Sequence, residues 1–170
     1  YPYDPYDPTS EVIREDATEH WYRNGGKVTH DHWKRIRKSL RKEIIQYLLD
    51  LPLNIDVEVN GKPYKLVHGA PMDEYLNYPG TPSAIHFAVW KRWRKYDTFS
   101  GDFTMIFGHT PTKHYQDDVP MKLWYGNRMI GIDCGSGYPE DGPDSEYGRL
   151  ACLRLDDGKV FYSEEECYDH

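Results

Sequence analysis

A chain of 170 residues with 38% hydrophobic and 29% charged content has the size and balance of one globular domain, and 15 tyrosines with 5 tryptophans make it rich in aromatics. Its 28 acidic against 21 basic residues leave a net charge of −7, which argues against nucleic acid as the main partner, because that binding rests on neutralising phosphates. No run approaches the roughly 20 apolar residues that span a bilayer, and the N-terminus lacks the basic-then-apolar pattern of a signal peptide, so no membrane partner is expected.

Residues 1 to 8, Tyr-Pro-Tyr-Asp-Pro-Tyr-Asp-Pro, read as an extended loop because three prolines forbid a regular period. Ser10 is a candidate N-cap for a helix running to about His20, and Asn24-Gly25-Gly26 marks a stop. Between Thr29 and Asp50 the residues Trp33, Ile36, Leu40, Ile44 and Leu48 recur at spacings of three and four, one face of an amphipathic helix. The other face carries Lys34, Arg35, Arg37, Lys38, Arg41 and Lys42, a basic surface that reads first as a solvated face and second as a dock for an acidic partner.

Leu53, Ile55, Val57 and Val59 alternate with polar residues and run into Asn60-Gly61, the signature of a tight hairpin whose return strand, Tyr64 to Val67, delivers His68. A helix is predicted around Ser83 to Arg94, and strands at 103–107, 128–133, 150–155 and 159–162, the last two joined by Asp156-Asp157-Gly158. Strands paired first by a hairpin and then separated by helix and long loops predict an α/β (α+β) fold with a mixed sheet and helices packed on it. No linker divides the chain.

Two segments carry the chemistry. Lys65-Leu66-Val67-His68-Gly69 and Met105-Ile106-Phe107-Gly108-His109-Thr110 each run an apolar strand into a histidine beside a glycine. Carboxyl ends of buried strands are where α/β folds build their sites, and neutral imidazole is a common ligand for manganese, iron and zinc. His68 and His109 are therefore candidate ligands of one shared metal. Between them, Trp90-Lys91-Arg92 lies on the predicted helix, and an arginine forks two N–H donors onto a phosphate as lysine does not. Periodicity alone does not rank Arg92 above Arg94.

Ile132-Asp133-Cys134-Gly135-Ser136-Gly137-Tyr138 ends another strand with two glycines and reads as a site rim or a plain turn. Cys134, Cys152 and Cys167 form an odd set without C-x-x-C spacing, which fits a reducing cytoplasm and no zinc knuckle, and no histidine is placed to make Cys134 a nucleophile. Thr29-His30-Asp31-His32 has H-x-H spacing but lies where a helix should begin, so an exposed cap is the better account. Gly101-Asp102 lacks the histidine two places on that would complete G-D-x-H.

Asn24-Gly25-Gly26 after His20-Trp21, Leu66-Val67-His68-Gly69, Val89-Trp90-Lys91-Arg92, Phe107-Gly108-His109-Thr110-Pro111 and Ile132-Asp133-Cys134-Gly135 occur in one order. Order and spacing, over about residues 20 to 162, resemble the second half of the bacteriophage lambda-type and bacterial serine/threonine protein phosphatases, members of the calcineurin-like metallophosphoesterases. The resemblance implies a mixed β-sandwich flanked by helices, of which this chain is the C-terminal part. It also implies two divalent metal ions, usually manganese with iron or zinc as alternatives. His68 and His109 would ligate the second ion, and Arg92 would grip phosphate. Asp133 and Tyr138 fall in the strand-end loop that borders the site.

The family motifs G-D-x-H-G, G-D-x-x-D-R-G and G-N-H-E do not occur in this sequence. They supply the other metal ligands, a second phosphate-binding arginine and a catalytic histidine. The chain opens at Tyr1 where a run following G-N-H-E is expected, so the N-terminal third to half of an intact enzyme is expected to lie outside it, and the 170 residues alone to be nearly inactive. The implied reaction is hydrolysis of a phosphoprotein by water activated between two metals about 3.5–4 Å apart. Two rivals remain open: a hydrolase of dinucleoside polyphosphates or other small phosphoesters, and a non-catalytic interaction module that keeps the lobe without the metals.

Overall fold

The computed structural model describes residues 17–78, 80, 83–138, 142 and 148–163; the expected loop over residues 1–8 and the start of the helix from Ser10 lie outside them. The chain divides into two compact units, Tyr1–Leu51 and Pro52–His170. Among the described residues no helix is long and apolar enough to cross a membrane.

The first unit is helical. Residues 17–23 are helical, the chain turns at Asn24 and at Gly25 (φ 84°), and helix α1 (Gly26–Trp33) starts at once. Helix α2 (Lys38–Asp50) follows. The single helix expected from Thr29 to Asp50 is thus two, broken at 34–37. Arg37 takes an extended conformation (φ −59°, ψ 146°), and the Arg41 guanidinium bonds the carbonyls of Ile36 at 2.7 Å and Lys34 at 2.9 Å. Those carbonyls would otherwise be left over at a helix end. His30 and His32 accordingly sit in the last turn of α1 and not at a helix start. His30 packs on Trp21 and Tyr22, and its Nδ1 bonds the Tyr22 hydroxyl.

The second unit is built on a mixed sheet of order β1-β2-β3-β5-β4: β1 (Asn54–Val59), β2 (Lys62–Val67), β3 (Thr104–Phe107), β4 (Trp124–Gly126) and β5 (Met129–Gly131). β1 and β2 form the expected antiparallel hairpin, with Asn60 (φ 52°) and Gly61 (φ 72°) both left-handed, as a two-residue turn of this twist requires. β2, β3 and β5 are parallel neighbours, so their carboxyl ends emerge on one side. Helix α3 (Ala84–Trp90) lies in the crossover from β2 to β3, capped by the Ser83 hydroxyl accepting from the His86 amide at 3.1 Å. It stops at Trp90, so Arg92 stands on irregular backbone beyond the helix and not on it. β4 is a strand the alternation pattern did not predict. It pairs with β5 through a turn at Asn127-Arg128, where Arg128 is left-handed (φ 57°). A separate two-stranded sheet joins β6 (Ala151–Leu153) and β7 (Val160–Tyr162) across the expected Asp156-Asp157-Gly158 turn.

Met105, Ile106 and Phe107 are all buried, as a central parallel strand covered on both faces demands. Around β3, Phe87, Trp93, Phe99, Tyr115, Trp124 and Met129 complete the main core. Met121, Leu123 and Cys134 form a smaller cluster against β6 and β7.

Candidate metal centre

His68 leaves the end of β2, and His109 leaves the end of its parallel neighbour β3. The pairing continues one bond past the strands, the Gly108 amide donating to the His68 carbonyl at 2.9 Å, which draws the two loops together. Gly69 then passes so close to the end of α3 that a Cβ there would lie 2.9 Å from the carbonyls of Ala88 and Lys91; only glycine fits. His109 is left-handed (φ 65°), and the Thr110 amide closes a three-residue turn onto the Gly108 carbonyl at 2.7 Å. Such backbone costs about 1–3 kcal/mol for a non-glycine residue and collects at functional sites.

The result is a close pair: His68 Nε2 and His109 Nδ1 stand 3.1 Å apart, with ring centroids 4.8 Å apart and planes at 51°. At an imidazole–metal distance of about 2.1 Å, that separation subtends about 95° at a single cation. In the structure the two nitrogens share a hydrogen bond, and a divalent ion held by both would take the place of its proton. Burial holds the His109 imidazolium below its ordinary value, and the Arg92 charge and His68 push the same way, while Asp133 and the Trp90 backbone oppose. The neutral ring keeps a lone pair for a cation. His109 Nε2 is buried without a hydrogen bond of standard geometry, and the Trp90 ring meets the imidazole edge-on at 5.7 Å. Among the described residues no third histidine, cysteine or carboxylate joins the pair, so the donor set is two.

Arg92 is the third predicted residue drawn in. Its Nη1 donates to the His109 carbonyl at 2.7 Å and lies 3.4 Å from the Thr110 hydroxyl. A cavity of about 640 Å³ opens there, walled by Arg92, His109, His114, Asp133 and Tyr138 among others. Asp133 and Tyr138 thus border the cavity, at the end of β5. Asp133 Oδ1 accepts from the Gly135 amide at 3.1 Å. No family model matches this chain, and no curated protein matches it.

The other candidates lie elsewhere. Arg94 does not line the cavity; its amide bonds Asp97. Asp102 lines a different hollow with Asp56, Asp73 and Lys65. Cys134 is a buried thiol pushed up to about 11 by burial, so it carries no thiolate at neutral pH. Sequence patterns do not single out Trp93, Thr110, His114 and Tyr115 as site residues, though all lie in or behind the site. The signal for three of them is present: Trp93 adjoins Arg92, and His114 and Tyr115 stand only five and six residues past His109.

Proposed function

We propose that this chain is part of a metal-dependent phosphomonoester hydrolase, a serine/threonine protein phosphatase of the calcineurin-like type that its motifs resemble. One observation carries the reading: two imidazoles from adjacent parallel strands meet at 3.1 Å beside a guanidinium fixed against one of them. In this reading the five-stranded sheet is one layer of a mixed β-sandwich flanked by helices. The free thiols of Cys134 and Cys152 accord with a reducing cytoplasm.

His68 and His109 would hold one of two divalent ions, manganese before iron or zinc. Such ions supply Lewis-acid charge to the phosphoryl oxygens and lower the pKa of water. Manganese favours about six ligands, so a donor set of two would leave the other positions to donors beyond His68 and His109, the role that the resemblance gives to the G-D-x-H-G, G-D-x-x-D-R-G and G-N-H-E motifs. Arg92 spends Nη1 on the His109 carbonyl, and among the described residues its Nε and Nη2 make no hydrogen bond. Those two donors are left to fork onto a phosphate oxygen pair. Its charge also disfavours protonation of His109, which keeps the imidazole available as a ligand. A cavity of about 640 Å³ would also accommodate a small phosphoester, such as a dinucleoside polyphosphate, as the substrate in place of a phosphoprotein.

Co(II) titrated into the purified chain tests the pair directly. Its visible absorption should report one weakly held ion, lost in His68→Ala and in His109→Ala while far-UV dichroism is unchanged. Equal Co(II) binding by wild type and both variants would sink the assignment. With manganese, the chain alone should turn over an aryl phosphate barely above background.

A further inference from the structure

Arg92 poses a mechanical problem. It is exposed, it follows the end of α3, and residues 91–94 form neither helix nor strand. A long side chain on irregular backbone normally keeps its rotamer freedom, yet an oxyanion grip works only when the guanidinium is already aimed.

The neighbouring contacts solve it. Lys91 is extended (φ −61°, ψ 128°), and two residues on, Trp93 turns inward and is 3% exposed. Its indole Nε1 donates to the Gly69 carbonyl at 2.9 Å, one residue past His68. The Trp93 carbonyl in turn accepts from the Tyr115 hydroxyl at 3.0 Å, and Tyr115 is 1% exposed, six residues past His109. Both bonds are buried, where an unmade partner is costly. Three loops, one after β2, one after α3 and one after β3, are therefore cross-linked directly behind Arg92.

We infer that Trp93 and Tyr115 are positioning residues: through the Gly69 carbonyl and the Trp93 carbonyl they lock the Arg92 backbone between the two histidine loops, so that Nη1 reaches the His109 carbonyl and the rest of the guanidinium faces the cavity. The inference rests on the proposed phosphate-gripping role of Arg92 for its purpose, and on the hydrogen bonds alone for its geometry.

Tyr115→Phe keeps the ring, which stacks on Trp124 with centroids 4.6 Å apart, and removes only the hydroxyl. In the full chain labelled with ¹⁵N-arginine, Arg92→Lys identifies the Arg92 guanidinium signal. Its protons should exchange with water about fivefold faster in Tyr115→Phe, the equivalent of one neutral hydrogen bond. Trp93→Phe should act in the same direction, and inorganic phosphate should bind each variant more weakly than wild type. Leu123→Ala, which opens the separate cluster around Met121 and Cys134, should leave the Arg92 signal alone. Unchanged exchange in Tyr115→Phe, or an equal change in Leu123→Ala, would overturn the inference. If Arg92 responds as stated but wild type binds no Co(II), the metallohydrolase reading fails and the positioning geometry stands.

Discussion

The described residues of the helical unit and those of the sheet unit obtain their order in different ways. Among the described residues of the helical unit only Gly26 is buried, and α2 buries none: Tyr47, Leu48 and Leu49 remain 65%, 57% and 73% exposed. Its helices lean on local devices, such as the Gln46–Asp50 bond at 2.8 Å and Arg41 gathering the carbonyls of the break. Among the described residues, all the buried apolar side chains belong to the sheet unit, with Met105, Phe107 and Tyr115 at 1% exposure or less. A left-handed histidine survives there because a packed strand and two hydrogen bonds hold it, which a marginal helix pair could not do. The lesson is that the candidate site sits where packing can support strain.

The contrast breaks or sharpens under substitution. Phe107→Ala removes the ring that meets both members of the stacked Tyr115–Trp124 pair edge-on and should cost about 3–5 kcal/mol in urea unfolding, whereas Leu49→Ala should cost less than about 0.5 kcal/mol. Comparable losses at both positions would erase the distinction. A smaller effect comes with alkali. The Cys134 thiol is raised from 9.0 to about 11 in the folded chain, so between those values the unfolded chain has released a proton that the folded chain keeps. Stability must then fall as pH rises from 9 to 11, by about 2 kcal/mol for this group. Cys134→Ala should flatten that slope, and Cys152→Ala, at an exposed thiol, should not. The smallest effect belongs to α1. Lys27→Ala removes an exposed pair at 2.8 Å, and neither the unfolding midpoint nor its salt dependence should move measurably.

Local chemistry settled a good deal of this protein in advance. Asn60-Gly61 dictated a left-handed two-residue turn, the Leu-Val-His-Gly and Phe-Gly-His-Thr runs put imidazoles at strand ends, and Ser83 started α3, each because neighbours a few residues apart determine it. The periodicity from Trp33 to Leu48 could not reveal the break at Arg37, since the apolar spacing passes through it unaltered while the carbonyls are captured by Arg41. Nor could it place Arg92, which reads as helical until Trp93 is drawn into the core and bonded to Gly69. The order β1-β2-β3-β5-β4 decided the rest: by setting β2 beside β3 in parallel it brought His68 within 3.1 Å of His109, a distance that exists only between segments far apart in the chain.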